Sequence, residues 1–163
     1  MNRIIDTQKA IKISQKLKRE GKTIVLAGGV FDILHLGHIK FLKAGKKRGD
    51  VLFILLENDK NVKNYKGINR PINTQIERAE ILTAMKPVDY VIKLDEMKSN
   101  SDYDKLIINF KPDVIAATKN SEQVTHNKRQ AKLVNAQLAL VINRIPNKST
   151  TRVADIISQE NNL

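Results

Sequence analysis

The sequence predicts an α/β fold, a single doubly wound domain with a five-stranded parallel sheet and helices on both faces. Three observations predict it. Short aliphatic runs alternate with amphipathic stretches along the chain. The run Val51–Leu56 is apolar at every position, as expected of a strand covered on both faces. The polar loops that carry glycine, histidine and arginine follow these runs or open helices, which gathers them on one sheet edge.

Each element has its own signal. Asp6 or Thr7 caps a first helix over residues 7–20, with Ala10, Ile13 and Leu17 as its apolar stripe and Gly21 as its stop. Residues 1–20 thus form an N-terminal helical extension. The first strand covers residues 23–27, and its helix runs over 37–48, closed by Gly49. Val51–Leu56 is the second strand, and a short helix over 59–65 leads into the polar loop 66–71. Thr74 and Glu77 have capping-box spacing and open a helix that ends before Pro87. A third strand over 90–92, a helix over 103–110 and a fourth strand over 113–117 follow. A helix over 122–135 precedes the fifth strand, 138–142; Pro146 then breaks the chain, and Ser149 or Thr150 caps a last helix through 157. With right-handed crossovers this order gives a Rossmann-like sheet, whose ligands lie beyond the strands' carboxyl ends where the strand order switches. No linker or repeat divides the 163 residues, so 1–163 reads as one domain.

Composition narrows the function classes. The chain has no cysteine, which excludes disulfides and thiolate metal sites. The first sixteen residues mix charges with single apolar side chains, unlike a signal peptide, and no aliphatic run is long enough to span a bilayer. The expectation is a soluble cytoplasmic protein without a membrane partner. A net charge of +12 invites a nucleic-acid reading. Yet lysines are spread from Lys9 to Lys148, and aromatic residues for base stacking are few. The charge reads as solvated faces with a general attraction for anions, and no specific nucleic-acid partner is expected. The helices over 74–85 and 122–135 suit pairing across a two-fold axis in a homodimer.

The chemistry concentrates in Gly28-Gly29-Val30-Phe31-Asp32-Ile33-Leu34-His35-Leu36-Gly37-His38. A strand delivers a glycine turn and two histidines to the mouth of a helix, where backbone N–H groups and the helix dipole attract phosphate. Gly28, Gly29 and Gly37 keep the backbone open to such a ligand. A helix cap with a core imidazole is the competing reading of the histidines. A metal pair is the weaker one, since no third ligand is evident. His126 has no motif around it.

The same stretch resembles the signature of the cytidylyltransferase-like nucleotidyltransferases, marked by His-x-Gly-His. Gly49-Asp50, Asn58-Asp59, Lys66-Gly67, Arg70-Pro71, Glu77-Arg78, Val88-Asp89 and Ser149-Thr150-Thr151 fall in the order that family uses, over residues 21–157. Within it the resemblance is greatest to the adenylyltransferase domain of bacterial ADP-heptose synthases, then to glycerol-3-phosphate cytidylyltransferases and archaeal FAD synthetases. The resemblance implies transfer of a nucleoside monophosphate, AMP from ATP first, to a phosphorylated sugar such as heptose 1-phosphate, with release of pyrophosphate. Cytidylyl transfer to an alcohol phosphate, flavin adenylylation and a non-catalytic nucleotide- or nucleic-acid-binding module are the alternatives.

It implies His35, His38 and Lys66 as catalytic residues. Gly28, Gly29, Val30, Phe31, Gly37, Ser149, Thr150 and Thr151 would hold the nucleotide. Asp32, Asn58, Arg70 and Arg78 would serve the acceptor, although a turn role for Asp32 and Asn58 and an Arg78–Asp89 ion pair compete. ATP or CTP is the implied co-substrate, with Mg2+ bound through the triphosphate and no protein metal site. After the fourth strand, heptose-type members carry Lys-Gly-Gly-Asp-Tyr, whereas this chain reads Ala116-Ala117-Thr118-Lys119-Asn120-Ser121, which leaves the base and the acceptor open.

Overall fold

In the computed structural model of the protein, residues 2–143 are described. The expected last helix, and Ser149, Thr150 and Thr151 with it, lie outside them. The elements are β1 (Ile4–Ile5), α1 (Thr7–Arg19), β2 (Ile24–Gly29), α2 (Leu36–Lys46), β3 (Val51–Leu56), α3 (Asp59–Lys66), α4 (Gln75–Ala84), β4 (Tyr90–Lys93), α5 (Asn100–Phe110), β5 (Val114–Lys119), α6 (Val124–Leu133) and β6 (Gln137–Asn143).

Among the described residues six strands, not five, build the sheet, in the order β1-β4-β3-β2-β5-β6 and parallel throughout. The additional strand is β1, two residues that pair Ile4 with Val91 and Ile5 with Ile92 on the outer edge of β4. Its register is fixed from outside: the Arg3 guanidinium donates to the carbonyls of Thr83, Val88 and Asp89. A strand this short has no period of its own to betray it.

From β1 at the edge the chain passes to mid-sheet at β2, steps outward through β3 to β4, then crosses back to β5 and β6. The order therefore switches between β2 and β5. Strand alternation divides the core in two. Val25, Ala27, Leu52, Ile54, Leu56 and Ala116 face Phe41 and Leu42 of α2 and Ala79 and Leu82 of α4. Ile24, Leu26, Phe53, Leu55 and Ile92 face Ala10 of α1 and Leu106, Ile107 and Phe110 of α5. Each Val, Leu, Ile or Phe among them, fully buried, contributes about 1.5–3 kcal/mol relative to exposure.

Local chemistry sets the helix boundaries. Asp6 accepts the Lys9 N–H to cap α1, and Thr74 and Glu77 form a reciprocal capping box on α4. Between α2 and β3 the chain passes so close to β2 that a Cβ on Gly49 would lie 2.8 Å from the Thr23 carbonyl oxygen and from Val25 Cγ2. That carbonyl cannot retreat, because it accepts the N–H groups of Asp50 and Val51 that start the β2–β3 pairing. Gly49→Ala is expected to cost about 1–3 kcal/mol in urea unfolding. A change within about 0.5 kcal/mol would contradict the tight approach.

Candidate active site

β2 runs out at Gly28-Gly29 on the sheet's carboxyl edge, beside the strand-order switch. A Cβ on Gly29 would press to 2.8 Å from the Phe31 ring, whereas one on Gly28 would make only ordinary contact with Leu55. Phe31 turns the chain with a φ of 49°, uncommon for an aromatic residue, and buries its ring. The turn then feeds α2.

His35 is the N-cap of α2, and its Nδ1 accepts the Gly37 N–H at 3.1 Å. An accepting Nδ1 leaves the proton of the neutral ring on Nε2, so His35 presents an N–H donor. His38 stacks on it, with ring centroids 3.9 Å apart and planes 25° apart, and Phe31 closes its other side at 5.2 Å. Burial, then the nearby charges of His35 and Lys66, hold the His38 pKa down to about 4. Its Nδ1 is buried without a hydrogen-bond partner among the described residues. Lys66 ends α3 in an exposed position whose charge reaches His38.

Asn58 caps α3, its side chain accepting the Lys60 N–H. This is the turn role, filled by the side-chain oxygen.

Asp32 and Arg78 are engaged within the protein. Of the two roles open to Asp32, shaping the turn or touching the ligand, its buried carboxylate fills the first. It accepts the N–H groups of Ile72 and Asn73 and the Arg70 Nε at 2.8 Å. Burial pushes its carboxyl up, yet the Asn73 and Ile72 N–H groups and Arg70 outweigh that and leave it below its ordinary value. Arg78 is fully buried. Its guanidinium donates to the carbonyls of Asn73, Val30 and Glu57 and to the Asp59 carboxylate at 2.7 Å. These bonds engage four of its five N–H groups within the protein, which favours a positioning role for Arg78. The competing Arg78–Asp89 pair does not form either: Asp89 takes the Lys46 ammonium and the Leu52 N–H.

Arg70 lies between these cases. Its Nη2 lies 2.6 Å from Asp32 Oδ2 in a buried ion pair, and its Nε donates to the same oxygen. The structure thus gathers His35, His38 and Lys66 near the Gly28-Gly29 turn and holds Arg70 beside Asp32. Glu57, at the end of β3, is absent from the sequence reading; its sole signal there is a charge that closes an otherwise apolar strand on the ligand edge.

Two outcomes check this geometry. Removing the Arg78 fork strands three carbonyls and a carboxylate, so Arg78→Met is expected to destabilise the fold by about 3–5 kcal/mol in urea unfolding, with Arg78→Lys rescuing little. In imidazole NMR, His38 is expected to titrate near pH 4. The folded ring binds its proton more weakly than the unfolded one. Its contribution to stability is therefore complete above the ordinary histidine value of about 6.5 and falls away as pH drops towards the folded pKa. An ordinary midpoint for His38 would contradict its desolvation.

Comparison with known proteins shows the family. A family model described as cytidylyltransferase-like matches residues 26–159. The bifunctional protein HldE of a Nitratiruptor species is 43% identical over 112 residues, 69% of this chain and 23% of that protein. The Aliarcobacter butzleri protein of the same name is 48% identical over 85 residues, 52% of this chain and 18% of the relative. The chain thus spans about a quarter or less of the length of these curated relatives. A lipopolysaccharide core biosynthesis protein from Thermoplasma volcanium superposes with a TM-score of 0.59 at 33% identity, covering 79% of this chain and all of that one. The fold alone is shared with a pantoate-beta-alanine ligase from Francisella tularensis, at a TM-score of 0.62 and 18% identity over 99% of this chain and 79% of the ligase. With the family match spanning most of its length, and the histidine pair at the head of α2, the chain belongs to the cytidylyltransferase-like family of nucleotidyltransferases.

Proposed function

We propose that this chain transfers AMP from ATP to a phosphorylated sugar such as heptose 1-phosphate, releasing pyrophosphate. The single observation that carries the reading is the stacked His35–His38 pair at the N-terminus of α2, beside the Gly28-Gly29 turn. An oxygen of the acceptor phosphate attacks the α-phosphorus of ATP in line, and the bond from that phosphorus to the β-bridging oxygen breaks. The electron pair leaves with pyrophosphate, so no protein nucleophile is required. Catalysis then consists of positioning and charge stabilisation.

The His35 Nε2–H and the positive dipole end of α2 suit the triphosphate oxygens. His38, kept neutral, can donate one hydrogen bond without repelling the charge of Lys66. Lys66 can follow the β- and γ-phosphates on its flexible stem, and the Arg70 guanidinium, oriented by Asp32, would face the acceptor phosphate. Ser149, Thr150 and Thr151 would add hydroxyl and N–H donors to the nucleotide. Magnesium belongs to the substrate as its triphosphate complex. Among the described residues no group of three or more His, Asp or Glu could hold a metal, and no step is assigned to a protein-held ion.

The adenylyl and heptose preference rests on the likeness to the HldE relatives. A second base stays in play because β5 ends in Thr118-Lys119, with Asn120 turning at a φ of 60°, where heptose-type members carry two glycines.

Pyrophosphate release tests the reading, with ATP and CTP crossed against heptose 1-phosphate, glycerol 3-phosphate and flavin mononucleotide. ATP with heptose 1-phosphate is the productive pair. His38→Ala is expected to lower turnover by about 10²–10³-fold without lowering the melting temperature. Turnover only with CTP would move the assignment to cytidylyl transfer. No turnover, together with salt-sensitive binding of random duplex DNA, would overturn it in favour of a binding module.

A further inference from the structure

Glu57 continues the alternation of Phe53 and Leu55, whose side chains pack with α1 and α5, so it projects on the sheet face opposite α2. Its N–H donates to the Gly29 carbonyl at 3.2 Å, which ties it to the nucleotide turn. From α5, the Tyr103 hydroxyl reaches both carboxylate oxygens, at 2.8 and 3.0 Å.

The direction of that bond is determined. Asn61 Nδ2 donates to the Met97 carbonyl at 2.9 Å, and a carbonyl can only accept, so the amide orientation is settled. The same Nδ2 donates to the Tyr103 oxygen at 3.2 Å, and the one hydroxyl proton therefore points to Glu57. A half-buried carboxylate is thus held by Tyr103 and the Asn58 N–H, with lone pairs left over for a further donor. Burial raises its pKa, against the lowering pull of Tyr103, Arg78 and the Asn58 N–H. Tyr65, one residue before Lys66 on α3, also stands close enough to feel the Glu57 charge.

A negative group here cannot serve a phosphate. The donors suited to phosphate stand with α2 and Lys66, and a carboxylate repels a polyanion. Nor does tethering α5 to β3 require a charge, since a neutral amide would spare the desolvation cost. What a fixed acceptor of hydrogen bonds flanked by tyrosines recognises is hydroxyl groups. We propose that Glu57, oriented by Asn61 and Tyr103, accepts hydrogen bonds from the hydroxyl groups of a polyol phosphate acceptor and sets acceptor specificity. The inference rests on the nucleotidyl-transfer reading above and names which part of the site reads the acceptor's body.

The test compares wild type, Glu57→Gln and Tyr103→Phe in steady-state kinetics with ATP and heptose 1-phosphate or glycerol 3-phosphate. Calorimetric binding of the same acceptors in the presence of a non-hydrolysable ATP analogue accompanies it. Glu57→Gln is expected to raise the acceptor KM by about 10–100-fold while the ATP KM stays within about twofold. Tyr103→Phe leaves the carboxylate but removes its anchor, and a smaller rise of about 3–10-fold is expected. An unchanged acceptor KM in Glu57→Gln, or a parallel loss of ATP and acceptor affinity with a lowered melting temperature, would overturn the proposal. So would a wild-type chain that binds ATP and neither acceptor. A wild-type chain that fails to bind ATP at all removes the nucleotidyl reading itself, and this inference with it.

Discussion

Two buried knots of charge hold the carboxyl edge of the sheet together. In one, the Asp32 carboxylate gathers Arg70 and the N–H groups of Ile72 and Asn73. In the other, the Arg78 guanidinium spans the carbonyls of Val30, Glu57 and Asn73 and the carboxylate of Asp59. An unpaired charge in either place would cost several kcal/mol, so each knot forms completely or the loops separate. Together they lash the turn after β2, the end of β3 and the loop before α4 into one rim. The positions of the histidines, Lys66 and Glu57 depend on that rim.

The rim explains how a strongly basic chain keeps neutral groups where phosphate chemistry would occur. The excess of lysine and arginine gives long-range attraction for polyanions. At the site itself, His38 is desolvated and stacked on His35, and burial with neighbouring charge favours its neutral form. A neutral ring is a directional donor rather than a second point charge beside Lys66. The N-terminus of α2 supplies fixed dipoles that need no reorganisation when charge moves along the phosphate chain. Glu57 projects on the opposite sheet face, where the Tyr103 hydroxyl holds it.

What was legible in the sequence was local. The parallel sheet, the α4 capping box, the glycine turn and the histidine pair at the head of α2 each depend on residues within a few positions of one another. The two-residue β1 was not legible, because its pairing is set by β4 and by Arg3 reaching carbonyls more than eighty residues away. The fate of Arg78 was hidden for the same reason: three segments converge on it, and only the fold brings Val30, Glu57 and Asn73 within one guanidinium's reach. Asp89, the partner in the competing reading of Arg78, takes Lys46, forty-three residues earlier. Glu57 and Tyr103, forty-six residues apart, have no spacing rule to connect them. Side chains that read a helix mouth can be found by motif; side chains that cross the fold to find a partner cannot.

The central claim is that the paired imidazoles at the head of α2 receive the triphosphate, and histidine NMR during an ATP–magnesium titration tests it most directly. The chain has three histidines, and the third, His126, lies exposed on α6 as an internal control. The account predicts saturable shifts of the His35 and His38 ring signals with His126 unmoved. Ring signals that stay still at saturating ATP, or shifts confined to His126, would contradict it.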